Sequence, residues 1–206
     1  MRMCKLVVGS LATNCYIVSN ENTKEAIIID PGAQPERIMN KIKEEQFLVK
    51  AILLTHGHID HIQAVNALKE EYGVDIYIGE QEADLVKDTQ KNLSMMFGTP
   101  YVTKPDCLVK EGDILSIAGF TIKVLFTPGH TKGGVCYYFE PEEALFSGDT
   151  IFQASVGRSD FPTGSARTLS DSIKEKIFTL PDDVQIFPGH GDSTVVSYER
   201  HYNMFV

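Results

Sequence analysis

Residues 55–61 read Thr-His-Gly-His-Ile-Asp-His, which places three of the chain's six histidines and one aspartate between His56 and His61. Neutral imidazole and carboxylate are the nitrogen and oxygen donors that zinc, iron and manganese take. His56 and His58 are two residues apart and reach one side only from an extended or looped backbone. On a helix they would diverge by roughly 200°. The cluster therefore reads as a loop and not as the helical His-Glu-x-x-His zinc motif. It offers four ligands at once, more than one ion needs, because a catalytic zinc uses about three protein ligands and keeps a position for water.

Further candidates follow apolar strands. Residues 51–54 run into Thr55-His56-Gly57-His58, and residues 120–126 into Thr127-Pro128-Gly129-His130. Residues 144–146 run into Ser147-Gly148-Asp149, and 184–187 into Pro188-Gly189-His190. Glycine before a His or Asp at a strand end permits a tight turn or a close backbone approach. Ligands delivered at the carboxyl ends of buried strands, into one crevice, are a common α/β arrangement. The candidate metal ligands are thus His56, His58, Asp60, His61, His130, Asp149 and His190, enough for two ions if one carboxylate bridges. His201, the sixth histidine, has no such context and stays outside the set.

The elements that must position these residues follow from periodicity and punctuation. Strands are expected at 6–8, 15–19 and 26–29, the last stopped by Asp30-Pro31-Gly32. Pro35 opens a helix with Ile38 and Ile42 on one face. One helix is expected from Ile59 to Tyr72, closed by Gly73, and others over 80–89 and 167–180, the last with Ile173 and Ile177 on one face. Strands are also expected at 76–78, 114–116 and 135–139. Segment 90–105 is the least regular; its Met95, Met96, Phe97 and Tyr101 could cover a cleft or face the core.

No linker or low-complexity segment divides the 206 residues, so a single domain over 1–206 is expected. Apolar residues make up 43% of the chain, enough for a sizeable core. A net charge of −9 argues against nucleic acid and anionic membrane as partners. Cys4, Cys15, Cys107 and Cys136 lie far apart with no C-x-x-C pair and read as thiols, not a disulfide framework. The N-terminus lacks the apolar core of a signal peptide. No run approaches the roughly 18 apolar residues of a membrane span. The cytoplasm is the expected location. There is no Gly-x-Ser-x-Gly elbow, and Lys132-Gly133-Gly134 lacks the preceding glycine of a P-loop.

The pattern His-x-His-x-Asp-His, then His, Asp and His, with Thr13-Asn14-Cys15-Tyr16 and Ile29-Asp30-Pro31-Gly32 upstream, resembles the metallo-β-lactamase superfamily over essentially the whole chain. The resemblance implies an α/β, four-layer αβ/βα sandwich with a binuclear metal site at one edge. It implies that His56, His58 and His130 hold one metal, that Asp60, His61 and His190 hold the other, and that Asp149 bridges them. Asp30 sits where the family has a supporting acid, which could orient a ligand histidine. Within the superfamily, Gly148-Asp149-Thr150-Ile151-Phe152 followed by Val156-Gly157-Arg158 is similar to the glyoxalase II-like hydrolases. There the basic residue at the position of Arg158 helps bind glutathione; the alternative is a surface arginine pairing with Asp160.

That resemblance implies hydrolysis of a thioester, an acylglutathione such as S-lactoylglutathione, by metal-bound hydroxide, with Asp60 accepting a hydrogen bond from the nucleophile. The cofactors implied are two divalent ions, zinc first, with iron or manganese suited to the same donors. The partner implied is a small-molecule thioester. The chain ends soon after His190, so the short form of the family, without the C-terminal helical domain, is expected. Gly157-Arg158-Ser159-Asp160-Phe161 is also similar to the persulfide dioxygenases, in which one iron is held at positions matching His56, His130 and Asp149. A metallo-hydrolase of another ester, a phosphodiester or a lactam is the remaining enzymatic alternative. The flavin-partnered diiron members carry an acid where this chain has His58, which argues against a purely redox module.

Overall fold

In the strand Glu25–Ile29, Ile27 and Ile29 enter one apolar cluster while Ala26 and Ile28 enter another. A strand apolar at every position is buried on both faces, with alternate side chains feeding separate cores. That rule organises the whole chain. The computed structural model describes residues 1–206. The first sheet contains β1 (Arg2–Val8), β2 (Thr13–Ser19), β3 (Glu25–Ile29), β4 (Leu48–Leu53), β5 (Asp75–Gly79) and β6 (Cys107–Val109), in that spatial order. β1 to β3 are antiparallel neighbours, and β3 to β6 run parallel.

The second sheet contains β7 (Ile114–Ile117), β8 (Phe120–Phe126), β9 (Val135–Phe139) and β10 (Ala144–Gly148). A small hairpin follows, β11 (Ile151–Phe152) with β12 (Ser155–Val156), before β13 (Gln185–Pro188) and β14 (Thr194–Val195) complete the sheet. Its order is β14-β13-β10-β9-β8-β7. The two sheets enclose a shared core in which Tyr16, Ile27, Ile29 and Leu53 meet Ile122, Tyr137, Phe139 and Phe146.

Helices cover the outer faces. α1 (Pro35–Glu45), α2 (Ile59–Ile62) and α3 (Val65–Tyr72) bury Ile38, Ile42, Ile62 and Leu68 against the far side of the first sheet. α4 (Ala166–Ser172) and α5 (Val196–Tyr202) bury Leu169 and Val196 against the far side of the second. The result is the expected four-layer αβ/βα sandwich. No helix is long and apolar enough to cross a membrane.

Three helices expected from the sequence differ. The one expected over 59–72 is two, because the Pro31 carbonyl accepts the Ala64 N–H at 3.0 Å and breaks the ladder between them. The helix expected over 80–89 is a 3₁₀ turn, Glu80–Glu82, followed by irregular turns. There the Val86 carbonyl accepts from Thr103 N at 3.1 Å, a bond to another segment in place of the next helical one. The helix over 167–180 begins as α4 and widens into a π turn at Ile173–Ile177, with Ile173 and Ile177 both buried as expected. β1 extends well before residue 6, and β6, the β11–β12 hairpin and α5 were not foreseen.

Candidate metal centre

The carboxyl ends of β4, β8, β10 and β13 open on one edge of the sandwich, and each delivers its candidate there. β2 and β13 meet at this edge: Asn14 N–H donates to the Gly189 carbonyl at 2.7 Å, and Thr13 forms an isolated bridge with His190. All seven candidate ligands converge. The ligand atoms of His56, His58 and His130 lie within 4.8 Å of one another, as do those of Asp60, His61 and His190. Asp149 stands between the two groups. Its Oδ1 is 3.3 Å from His61 Nε2, and its Oδ2 is 3.6 Å from His130 Nε2 and 3.5 Å from His190 Nε2.

Four of the histidines are oriented by a hydrogen bond at Nδ1. His130 Nδ1 donates to the Arg158 carbonyl at 2.6 Å, and His190 Nδ1 to the Leu11 carbonyl at 3.1 Å. His61 Nδ1 donates to Asp30 Oδ2 at 3.0 Å. The Thr55 hydroxyl donates to that same oxygen at 2.6 Å, which leaves it only an acceptor toward His56 Nδ1 at 3.1 Å. In its neutral form each ring therefore carries its proton on Nδ1 and turns Nε2 inward as the free donor, the arrangement that outer partners impose on metal-binding histidines. His58 differs: its Nδ1 faces His130 Nε2 at 2.9 Å.

Asp30 also groups with His56 and His61. Both its oxygens are already occupied, Oδ1 by Thr55 N–H at 2.8 Å and Oδ2 by the Thr55 hydroxyl and His61. It is placed to support ligands and not to be one. The donor set fits divalent ions. The buried His56 Nε2, His61 Nε2 and Asp149 Oδ1 have no hydrogen-bond partner in the protein. Stranding such a group costs about 1–3 kcal/mol unless something ligates it.

The two groups differ in charge. Burial pushes the His58 imidazole down to about 3, helped by the neighbouring His130, and holds His56 well below its ordinary value. Burial also opposes a charge on His61, but Asp60, Asp149 and Asp30 outweigh it and raise that imidazole well above the usual range. His190, likewise opposed by burial, is raised to about 9 by its contacts with Asp149 and Asp60. Despite burial, Asp60 is lowered to about 2 by His61 and His190, and Asp149 lies well below the carboxylate range.

Sequence reasoning missed several supports because they are long-range. The Thr13 hydroxyl donates to Asp60 Oδ2 at 3.0 Å. Glu82, fully buried, accepts Gly57 N–H at 2.9 Å and Gly133 N–H at 2.8 Å. One carboxylate thus ties the loop of His56 and His58 to the loop that follows His130. A side chain at Gly57 would begin 2.6 Å from Val86 Cγ1 and 2.7 Å from Leu85 Cδ2. Buried Glu199 accepts from Ala154 N, the Thr194 hydroxyl and Asn203, which fastens the β11–β12 hairpin to α5.

A cavity of ≈ 500 Å³ opens over the ligand cluster, walled by Leu93, Met96 and Phe97 and by Phe152, Val156 and Phe161. Segment 90–105 thus takes both placements that the sequence left open: Met96 and Phe97 line the cleft, and Tyr101 packs against the core. Arg158 also lines the cavity. It is exposed and forked onto Asp160, Nε to Oδ1 at 2.9 Å and Nη2 to Oδ2 at 2.8 Å, with its guanidinium 4.2 Å from the Phe161 ring.

A model of the metallo-beta-lactamase superfamily matches residues 8–190. The hydroxyacylglutathione hydrolase GloC of Haemophilus influenzae is 36% identical over 202 residues, covering 97% of this chain and 95% of the relative. The crystal structure of BLEG-1 B3 metallo-beta-lactamase superposes with a TM-score of 0.94 at 38% identity, covering 99% of both chains. That of TTHA1623 in a di-iron-bound form gives a TM-score of 0.88 at 31% identity, covering 98% of this chain and 100% of the other.

Proposed function

Since the chain belongs to the metallo-β-lactamase superfamily, we propose that it is a binuclear metal-dependent hydrolase of thioesters, with acylglutathiones such as S-lactoylglutathione as the class to assay first. The observation that carries this reading is the convergence of two three-residue ligand groups on Asp149 beneath an open cleft. The GloC relative supports the choice of bond. His56, His58 and His130 would hold one ion and Asp60, His61 and His190 the other, with Asp149 shared. Bound divalent ions supply an ionised water near neutral pH and polarise the scissile carbonyl. Zinc is the first candidate, and the di-iron relative keeps iron beside it.

The chain's own residues do the rest. Asp60 Oδ2 accepts from Thr13 and faces His190 Nε2 at 3.2 Å. Those contacts fall on one oxygen, so Oδ1 is left to take the hydrogen bond of the attacking water and orient it. Phe97, Phe152 and Phe161 give the cavity apolar walls beside the ligand cluster. Arg158 lines the cavity with its Nε and Nη2 on Asp160, the surface pairing that the sequence offered as the alternative to substrate binding.

Two assays on the metal-loaded protein test this reading. S-lactoylglutathione hydrolysis is expected. Oxygen uptake with glutathione persulfide at one iron per chain, without hydrolysis, would replace the hydrolase with a dioxygenase.

A further inference from the structure

Apart from the metal-facing residues, Arg158 is the one charged side chain that lines the cavity over the ligand cluster. Asp160 already holds one edge of its guanidinium, Nε and Nη2, and pairs its charge, and both side chains lie largely in solvent. A second cavity of ≈ 220 Å³ meets the first at Leu11, Asp60 and Phe97. It adds Ser10, Gln63 and Thr99, and no cation. A glutathionyl group carries two carboxylates and an ammonium. Burying a carboxylate without a partner is costly, so charged ends that find no free cation stay in water.

What the larger cavity does present is apolar surface. Met96 and Phe97 are 71% and 48% exposed. They are held in place and not loosely draped. Leu93, buried in the core at φ 67, and Gly98 at φ 69 bracket the turn Ser94–Phe97. Buried Asn92 accepts Ser94 N–H at 2.9 Å and donates to the Tyr101 carbonyl at 2.7 Å. Its own carbonyl accepts Ile59 N–H at 2.8 Å, which ties this wall to the helix carrying Asp60 and His61. A rigid wall of aromatic and thioether groups facing Phe152, Val156 and Phe161 suits an alkyl or aryl body and rewards its burial.

From this we infer that the cleft grips the thiol half of its substrate through apolar surface and leaves its charges unread, so the preferred substrates are thioesters of apolar thiols. The inference rests on the thioester reading above. Acylglutathiones are then turned over with their carboxylates projecting into solvent.

The test uses the metal-loaded protein and one acyl group carried on two alkyl thiols, glutathione and 2-phenylethanethiol. The phenylethyl ester is expected to show a kcat/KM at least about tenfold higher, through KM. Phe97→Ala should lower that value about tenfold and the glutathione value less than about threefold. Arg158→Ala should change neither by more than about threefold. A preference for the glutathione ester, or a tenfold loss on that ester alone in Arg158→Ala, overturns the inference. If neither ester is cleaved, the thioester reading fails by itself. Calorimetric binding of S-methylglutathione against methyl 2-phenylethyl sulfide then decides the point, with tighter binding of the apolar thioether expected and the reverse order refuting it.

Discussion

Replacing Asp30 separates a ligand-supporting role from that of a turn residue. Asp30 is 2% exposed and accepts three hydrogen bonds, from Thr55 N–H, the Thr55 hydroxyl and His61 Nδ1. It also sits at φ 49, a left-handed conformation that Asp and Asn adopt at less cost than Ala. Asp30→Asn therefore keeps the backbone and the volume while changing the chemistry. Its oxygen can serve the two donors now on Oδ2, but its amide then faces the Thr55 N–H, donor against donor. One stranded buried donor costs about 1–3 kcal/mol, and weakening two bonds to a charge adds to it, so a loss of about 2–4 kcal/mol is expected. Asp30→Ala strands all three donors and adds backbone strain, which puts its loss near 4–5 kcal/mol. Both losses are read from chemical denaturation of the metal-free protein. The decisive measurement is metal affinity. Freeing His61 to rotate or change tautomer should weaken the Asp60–His61–His190 group by about 10–100-fold, with a smaller effect relayed through Thr55 to His56. If Asp30→Asn loses stability yet binds both ions within about threefold of wild type, Asp30 is a structural turn and the orienting role is wrong.

Further outcomes follow from the same geometry. At pH 7 the raised His190 and His61 must lose protons before they ligate, whereas His56 and His58 are already neutral. The second ion should release protons at pH 7 and bind about tenfold more weakly per pH unit lowered for each proton displaced, while the first should not; titration in two buffers of different ionisation enthalpy measures this. In the metal-free protein the raised His190 contributes stability that is complete below 6.5 and disappears as pH rises through about 9, which thermal unfolding across that window would register. Glu82→Gln keeps its shape but turns an amide toward Gly57 or Gly133, so binding at His56, His58 and His130 should weaken about tenfold with the second group spared; cobalt absorption spectra distinguish the two. Gly189→Ala would place its Cβ 2.3 Å from Asp149 Oδ1 and 2.6 Å from His61 Cε1, so metal content by mass spectrometry should fall even where circular dichroism is unchanged.

The candidate ligands were legible because the segments that carry them follow apolar strands within a few residues, and a strand's end is a local property. Asp30 was legible as a turn acid and, through the family resemblance, as a supporting acid; its bonds to Thr55 and His61 needed the fold. Thr13, Glu82, Glu199 and the carbonyls of Leu11 and Arg158 carry no spacing signal, since their partners lie elsewhere in the chain. The break between α2 and α3 was invisible for the same reason: local helix propensity runs through it, and the Pro31 carbonyl that interrupts it comes from another turn. The apolar wall at Leu93–Phe97 was suggested by composition alone, and its attachment through Asn92 was not.

The central claim is that the two ligand groups, joined by Asp149, act together in hydrolysis. The most direct test titrates the metal-free protein with zinc while following cleavage of a lactoyl thioester, in wild type and in His58→Ala. Activity that rises to a break at two equivalents in wild type and is lost in His58→Ala is the predicted result. A break at one equivalent, or unchanged activity in His58→Ala, would contradict it.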